Sequence, residues 1–170
     1  LYERWHSFFG IAEGLPEDFA ENHGYYAMAE HAVNPIFADT FYYLALVNKN
    51  DAFNDRAVWC ARNLRVPIVT TAWIITELAD ALAHRTQRKS FLAILETVCS
   101  DPGVTLLPPS ESLYEAGLSL FANRPDKDWS LTDCTSFVVM EQHGLSAALT
   151  ADQHFVQAGF SALLLERQVE

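Results

Sequence analysis

Short apolar runs alternate with longer stretches of helical periodicity from Pro35 onward. Ile36-Phe37-Ala38, Pro67-Ile68-Val69-Thr70, Val104-Thr105-Leu106-Leu107 and Ala147-Ala148-Leu149-Thr150 read as strands, with Leu163-Leu164-Leu165 as a fifth. The second is rich in β-branched residues, which suit a pleated, buried surface. Between the strands, residues 41–48, 52–64, 72–83, 87–99, 110–122 and 131–143 carry apolar positions at helical spacing. Residues 152–157 form a shorter helix. Ser110-Glu111 marks one helix start, and Gly144 stands where a helix ends in the left-handed region. Strands separated by helices predict an α/β fold with three layers: a mainly parallel sheet of four or five strands, covered by helices on both faces. In such sheets the site lies beyond the carboxyl ends of the strands.

Residues 1–34 have a different pattern. Tyr2, Trp5, Phe8 and Phe9 lie at near-helical spacing, Gly14-Leu15-Pro16 interrupts them, and Pro16-Glu17-Asp18 suits the first turn of a helix. The segment is too short for a core of its own. It reads as a helical N-terminal arm ahead of a domain spanning 35–170. Its large apolar residues, Phe19 included, are expected to pack on an apolar groove of this chain or of a neighbouring copy.

The chain has 170 residues, half of them apolar, and a formal charge of −11. That field repels phosphate, so generic electrostatic binding to nucleic acid or an anionic membrane is disfavoured. An enzyme whose acidic site holds divalent cations is still compatible with it. Cys60, Cys99 and Cys134 are widely spaced and form no CxxC pair, which points to neither a zinc knuckle nor a disulfide framework and fits reduced thiols in the cytoplasm. No run approaches the 18 or so uninterrupted apolar residues of a membrane span, and no secretory signal pattern is visible.

The candidate chemistry lies in four acids. Asp39 follows the first strand and Asp152 the fourth, Asp133 sits in Ser130-Leu131-Thr132-Asp133 at the start of a long helix, and Glu77 interrupts the apolar stretch Trp73–Ala79. Asp39 and Asp152 also suit helix N-caps, and Ser130 with Asp133 a capping box. A lone acid in an apolar stretch is costly without a partner. Converging carboxylates do not all stay ionised without cations, and hard oxygen donors suit Mg²⁺ or Mn²⁺. Such ions acidify bound water and stabilise phosphoryl transition states, which points to a metal-dependent phosphodiesterase. A haloacid-dehalogenase site needs an acid at position 41, which is Phe, and no glycine-rich phosphate loop occurs.

Phe37-Ala38-Asp39-Thr40, Ile75-Thr76-Glu77-Leu78, Trp129-Ser130-Leu131-Thr132-Asp133-Cys134 and Leu149-Thr150-Ala151-Asp152-Gln153-His154-Phe155 resemble, in order, the four acidic motifs of PIN-domain nucleases, above all the toxins of bacterial VapBC systems. The resemblance covers about Pro35 to Leu165. It implies a PIN-like three-layer fold and a metal-dependent endoribonuclease that attacks RNA phosphodiesters through metal-activated water. It implies Asp39, Glu77, Asp133 and Asp152 as the catalytic and metal-holding acids for Mg²⁺ or Mn²⁺. Thr132, Thr150 and Asp128 are then supporting residues. It further implies an RNA substrate, a cognate antitoxin, a homodimer and no membrane. Gly14–His23 resembles the toxin-binding tail of some antitoxins, and Arg4 would then point toward the acids. The alternative is a PIN-like binding module that is catalytically silent or inhibited by its own arm.

Arg85, Arg88 and Lys89 follow the Glu77 helix and are candidates to guide an RNA backbone, as are Arg56, Arg62 and Arg65 on the preceding helix. The six histidines form no HxH or HxxxH pair, and His154, two residues after Asp152, reads as a surface or capping residue, with contact to substrate as the alternative.

Overall fold

The computed structural model describes residues 34–166. The expectations for the arm, its helical character, its docking and the placing of Arg4 lie outside them. Among the described residues, β1 (Ile36–Ala38) is buried along its whole length, as the central strand of a two-sided sheet must be. It leads through α1 (Thr40–Val47) and α2 (Asn54–Asn63) to β2 (Ile68–Thr71), and through α3 (Ala72–Ala81) and α4 (Arg88–Ser100) to β3 (Val104–Leu107). Then come α5 (Glu111–Asn123), α6 (Leu131–Gln142), β4 (Ala147–Leu149), α7 (Gln153–Gln157) and β5 (Ser161–Ala162).

The five strands are all parallel, in the order β3-β2-β1-β4-β5. The chain moves from β1 outward to β3, then returns to β4 on the other side of β1. Right-handed crossovers therefore place α1–α4 on one face and α5–α7 on the other. The strand order reverses between β1 and β4, which is where open α/β sheets form their crevice.

The fifth strand differs from expectation. Gly159, at φ +96, turns the chain early, and pairing to β4 occurs at Ser161 and Ala162. Leu163–Leu165 form a turn. Leu164 is nonetheless buried, and its N–H donates to Thr150 O. Leu163 N likewise donates to Ala148 O at 2.9 Å, so the triplet stays bonded to the end of β4 while turning away from it, and of its three side chains Leu164 alone is buried. Gly144, at φ +62, ends α6 as expected.

Beneath the β1–β4 edge an aromatic cluster carries the core. Phe137 of α6 meets Phe155 of α7 edge-on at 5.0 Å and Trp129 at 4.9 Å, and Phe155 touches Phe37 of β1 at 6.2 Å. All four rings are buried. At about 1.5–3 kcal/mol for each large apolar side chain, this cluster fixes the two helix starts that carry Asp133 and Asp152. On α5, Gly117 lets α6 approach closely: a Cβ there would stand 2.4 Å from Thr135 Cγ2.

Candidate active site

The strand register assembles the site. Ala38 is paired with Leu149, so the next residues, Asp39 and Thr150, emerge side by side beyond the sheet. Thr150 Oγ1 donates to Asp39 Oδ2 at 2.8 Å and accepts from Asp152 N at 3.0 Å. One buried hydroxyl therefore ties the acid after β1 to the acid after β4. Asp39 also caps α1, accepting weakly from Phe41 N at 3.4 Å. Asp152 caps α7, accepting from His154 N at 2.8 Å. Asp133 closes a reciprocal capping box with Ser130, with Ser130 N donating to Asp133 Oδ2 at 2.7 Å. The capping roles and the clustering coexist. Three helix N-termini meet at one point, and each brings an acid to satisfy its free N–H groups.

Glu77 arrives from the second strand. Thr71 ends β2 and caps α3, accepting from Ile74 N, which sets the phase of the helix. Glu77 is half-buried, and Thr40 Oγ1 donates to its Oε2. That bond ties α3 to the residue next to Asp39.

The electrostatics show the convergence. Asp39 is 5% exposed, and its carboxyl is pushed up from 3.8 to about 7. Burial is the main cause, and the charges of Asp133 and Glu77 add to it. The Thr150 hydroxyl and the Thr40 N–H oppose the rise without cancelling it. Burial also raises Glu77, again with Asp133 and Asp152 contributing. Among the described residues no Lys or Arg forms an ion pair with any of the four acids. Acids gathered in this way fit a divalent cation as their missing partner.

His154 departs from its sequence reading. It is half-buried, and its Nδ1 stands 3.1 Å from Asp133 Oδ2 and 3.6 Å from Asp152 Oδ1. Asp133, Asp152 and His154 each present a ligand atom within 4.8 Å of the others. The available signal was position: a side chain in the first turn of α7 lies close to whatever its N-cap acid faces. Thr40 was likewise missed as the donor to Glu77.

The remaining candidates divide. Thr150 is central, as described. Thr132 accepts through its carbonyl from Thr135 and Ser136, which bend back within α6. Asp128 is exposed and enters none of these bonds. Arg85, Arg88 and Lys89 are exposed, and Arg88 Nε donates to Ala83 O at 3.0 Å. Arg56 is structural: its guanidinium donates to Leu163 O and stacks over Trp59. Burial and the adjacent Asp133 push the Cys134 thiol up, which suits packing and not nucleophilic attack. A cleft of about 910 Å³ between α1, α2, α4 and the sheet is lined by none of the four acids.

The model of the PIN domain matches residues 36–161. The chain belongs to the PIN-domain family. It is VapC-like within that family: over 132 residues it is 30% identical to the 23S rRNA-specific endonuclease VapC20 of Mycobacterium tuberculosis, covering 74% of this chain and 95% of that one. The crystal structure of M. tuberculosis VapC20, described as a sarcin-ricin loop cleaving toxin, superposes with a TM-score of 0.68 at 25% identity, over 74% of this chain and 95% of the other. FitAcB from Neisseria gonorrhoeae shares the fold, with a TM-score of 0.54 at 21% identity, over 75% of this chain and 95% of that one. No helix among the described residues is long and apolar enough to cross a membrane.

Proposed function

We propose that this PIN-domain protein is a Mg²⁺- or Mn²⁺-dependent endoribonuclease acting as the toxin of a toxin–antitoxin pair in the cytoplasm. The observation that carries this reading is the electrostatic coupling of buried Asp39 and of Glu77 to Asp133 at the β1–β4 crevice, where Asp133 and Asp152 lie within ligand distance of each other and, among the described residues, no Lys or Arg pairs with any of the four. The likeness to a ribosomal RNA endonuclease supports RNA as the substrate. The four acids hold the cation, and a bound divalent ion supplies acidified water and charge neutralisation at the phosphate.

The protein's own residues prepare that chemistry. Asp39, its carboxyl pushed up to about 7 by burial, would hold the cation as a carboxylate. Thr150 fixes the plane of the Asp39 carboxylate, and Thr40 fixes Glu77. The N-termini of α1 and α6 turn the positive ends of their dipoles toward the same point, where a phosphate arrives. Arg85, Arg88 and Lys89 are exposed and available to an RNA backbone. Residues 1–34 are proposed as an appendage to the nuclease domain and a cognate antitoxin as its regulator. A homodimer is supported by an uncovered stripe on α5, where Tyr114, Leu118 and Phe121 are 41%, 43% and 48% exposed.

The test is cleavage of total RNA and of isolated 23S rRNA with Mg²⁺ or Mn²⁺, with and without EDTA. Cleavage that EDTA stops and Asp133→Asn abolishes is expected. Wild-type protein inert with both ions refutes the reading.

A further inference from the structure

The imidazole of His154 faces Asp133 and Asp152 from the first turn of α7, and neither acid needs it for orientation. Asp133 Oδ2 already accepts from Ser130 N at 2.7 Å, and Asp152 Oδ1 already accepts from His154's own backbone N–H at 2.8 Å. The ring itself is 29% exposed, and the neighbouring Phe155 is fully buried and anchors the turn. Nδ1 is therefore held over two carboxylates that the backbone has already fixed.

The separations suit a shared ion. An octahedral ion with bonds of about 2.1 Å places adjacent donors about 3.0 Å apart. His154 Nδ1 lies 3.1 Å from Asp133 Oδ2 and 3.6 Å from Asp152 Oδ1. In the ion-free site Nδ1–H donates to Asp133 Oδ2; a bound cation would take that proton's place, leaving the ring proton on Nε2 and Nδ1 as the donor to the ion. Carboxylate oxygens alone suit Mg²⁺ and Mn²⁺ alike, whereas imidazole nitrogen favours first-row transition ions.

We infer that His154 supplies a nitrogen donor to this centre, so that the site prefers a first-row transition ion to Mg²⁺. The inference rests on the reading of the four acids as a metal centre. It adds a donor to that centre and a choice of ion.

Mn²⁺ is the probe, because electron spin-echo spectroscopy detects a directly bound ¹⁴N. In wild-type protein, ¹⁴N modulation is expected, and Mg²⁺ competes for Mn²⁺ only at about ten-fold or greater excess. In His154→Gln the modulation should vanish. Mn²⁺ affinity should fall by about ten-fold or more while Mg²⁺ affinity changes by less than about two-fold. Thermal melting of the ion-free variant checks that the fold is kept. Wild-type protein that binds Mn²⁺ without ¹⁴N modulation overturns the inference and needs no variant. Equal weakening of both ions in His154→Gln also overturns it, since that marks a residue that only orients the acids. Failure of the metal-centre reading looks different: wild-type protein binds neither ion, or binds both unchanged in Asp133→Asn.

Discussion

Asp39→Asn tests the electrostatic cost of assembling the site. In the ion-free protein the Asp39 carboxyl is raised from 3.8 to about 7. Below about pH 4 it is protonated in folded and unfolded chains alike, and burial of its charge costs nothing. Between pH 4 and 7 the unfolded chain releases a proton that the folded chain retains, so stability falls as pH rises. Above about pH 7 the whole cost is present. At about 1.36 kcal/mol per pH unit this is on the order of 4 kcal/mol, and relaxation and water entry reduce it to about 2–4 kcal/mol. Asparagine keeps an oxygen for Thr150 and carries no charge. Ion-free Asp39→Asn is therefore expected to match the wild type at pH 4 and to exceed it at pH 8. With about 2–4 °C per kcal/mol for a domain of this size, the gain in melting temperature at pH 8 is about 5–15 °C. Adding Mn²⁺ should restore the wild type and do little for the variant, because an ion that binds the folded state stabilises by mass action. The measurement is calorimetry at both pH values, with chelator or ion. Parallel pH dependence of the two proteins would show that the buried charge carries no such cost, and the argument for a missing cation would fall with it.

Three further outcomes are expected. Thr150→Val removes the hydroxyl shared by Asp39 and Asp152 N; a loss of about 1–3 kcal/mol in urea unfolding, with reduced RNA cleavage, is predicted, and unchanged cleavage would contradict the orienting role. Gly117→Ala drives a Cβ into Thr135 of α6; a loss of about 1–3 kcal/mol and a weakened Asp133 position should appear in melting and in Mn²⁺ titration. Phe121→Glu with Leu118→Glu places charge on the exposed α5 stripe; sedimentation should then report a monomer in place of the proposed dimer.

Local pattern reached far in this chain because its rules are local. Alternating β-branched runs and helical periodicity marked four of the five strands and all seven helices among the described residues, with ends displaced by a residue or two. Gly144 and Ser110 were legible because a left-handed terminus and an N-cap each demand particular side chains. The four acids stood out as candidates because Asp39 and Asp152 follow strands, Glu77 interrupts an apolar helix and Asp133 opens a long helix behind Ser130. Tertiary structure decided what spacing does not encode. The β1–β4 register set Asp39 beside Thr150, and the reversal of strand order brought the two loops together from opposite ends of the sequence. It placed β5 at Ser161 instead of Leu163, since the turn at Gly159 and the available edge of β4 govern pairing more than apolar content does. It removed Arg56 from the basic candidates by binding it to Leu163 O. It also turned His154 from a surface residue into a neighbour of Asp133, because contact across a crevice depends on distances between segments, and those exist only once the sheet has closed the chain on itself.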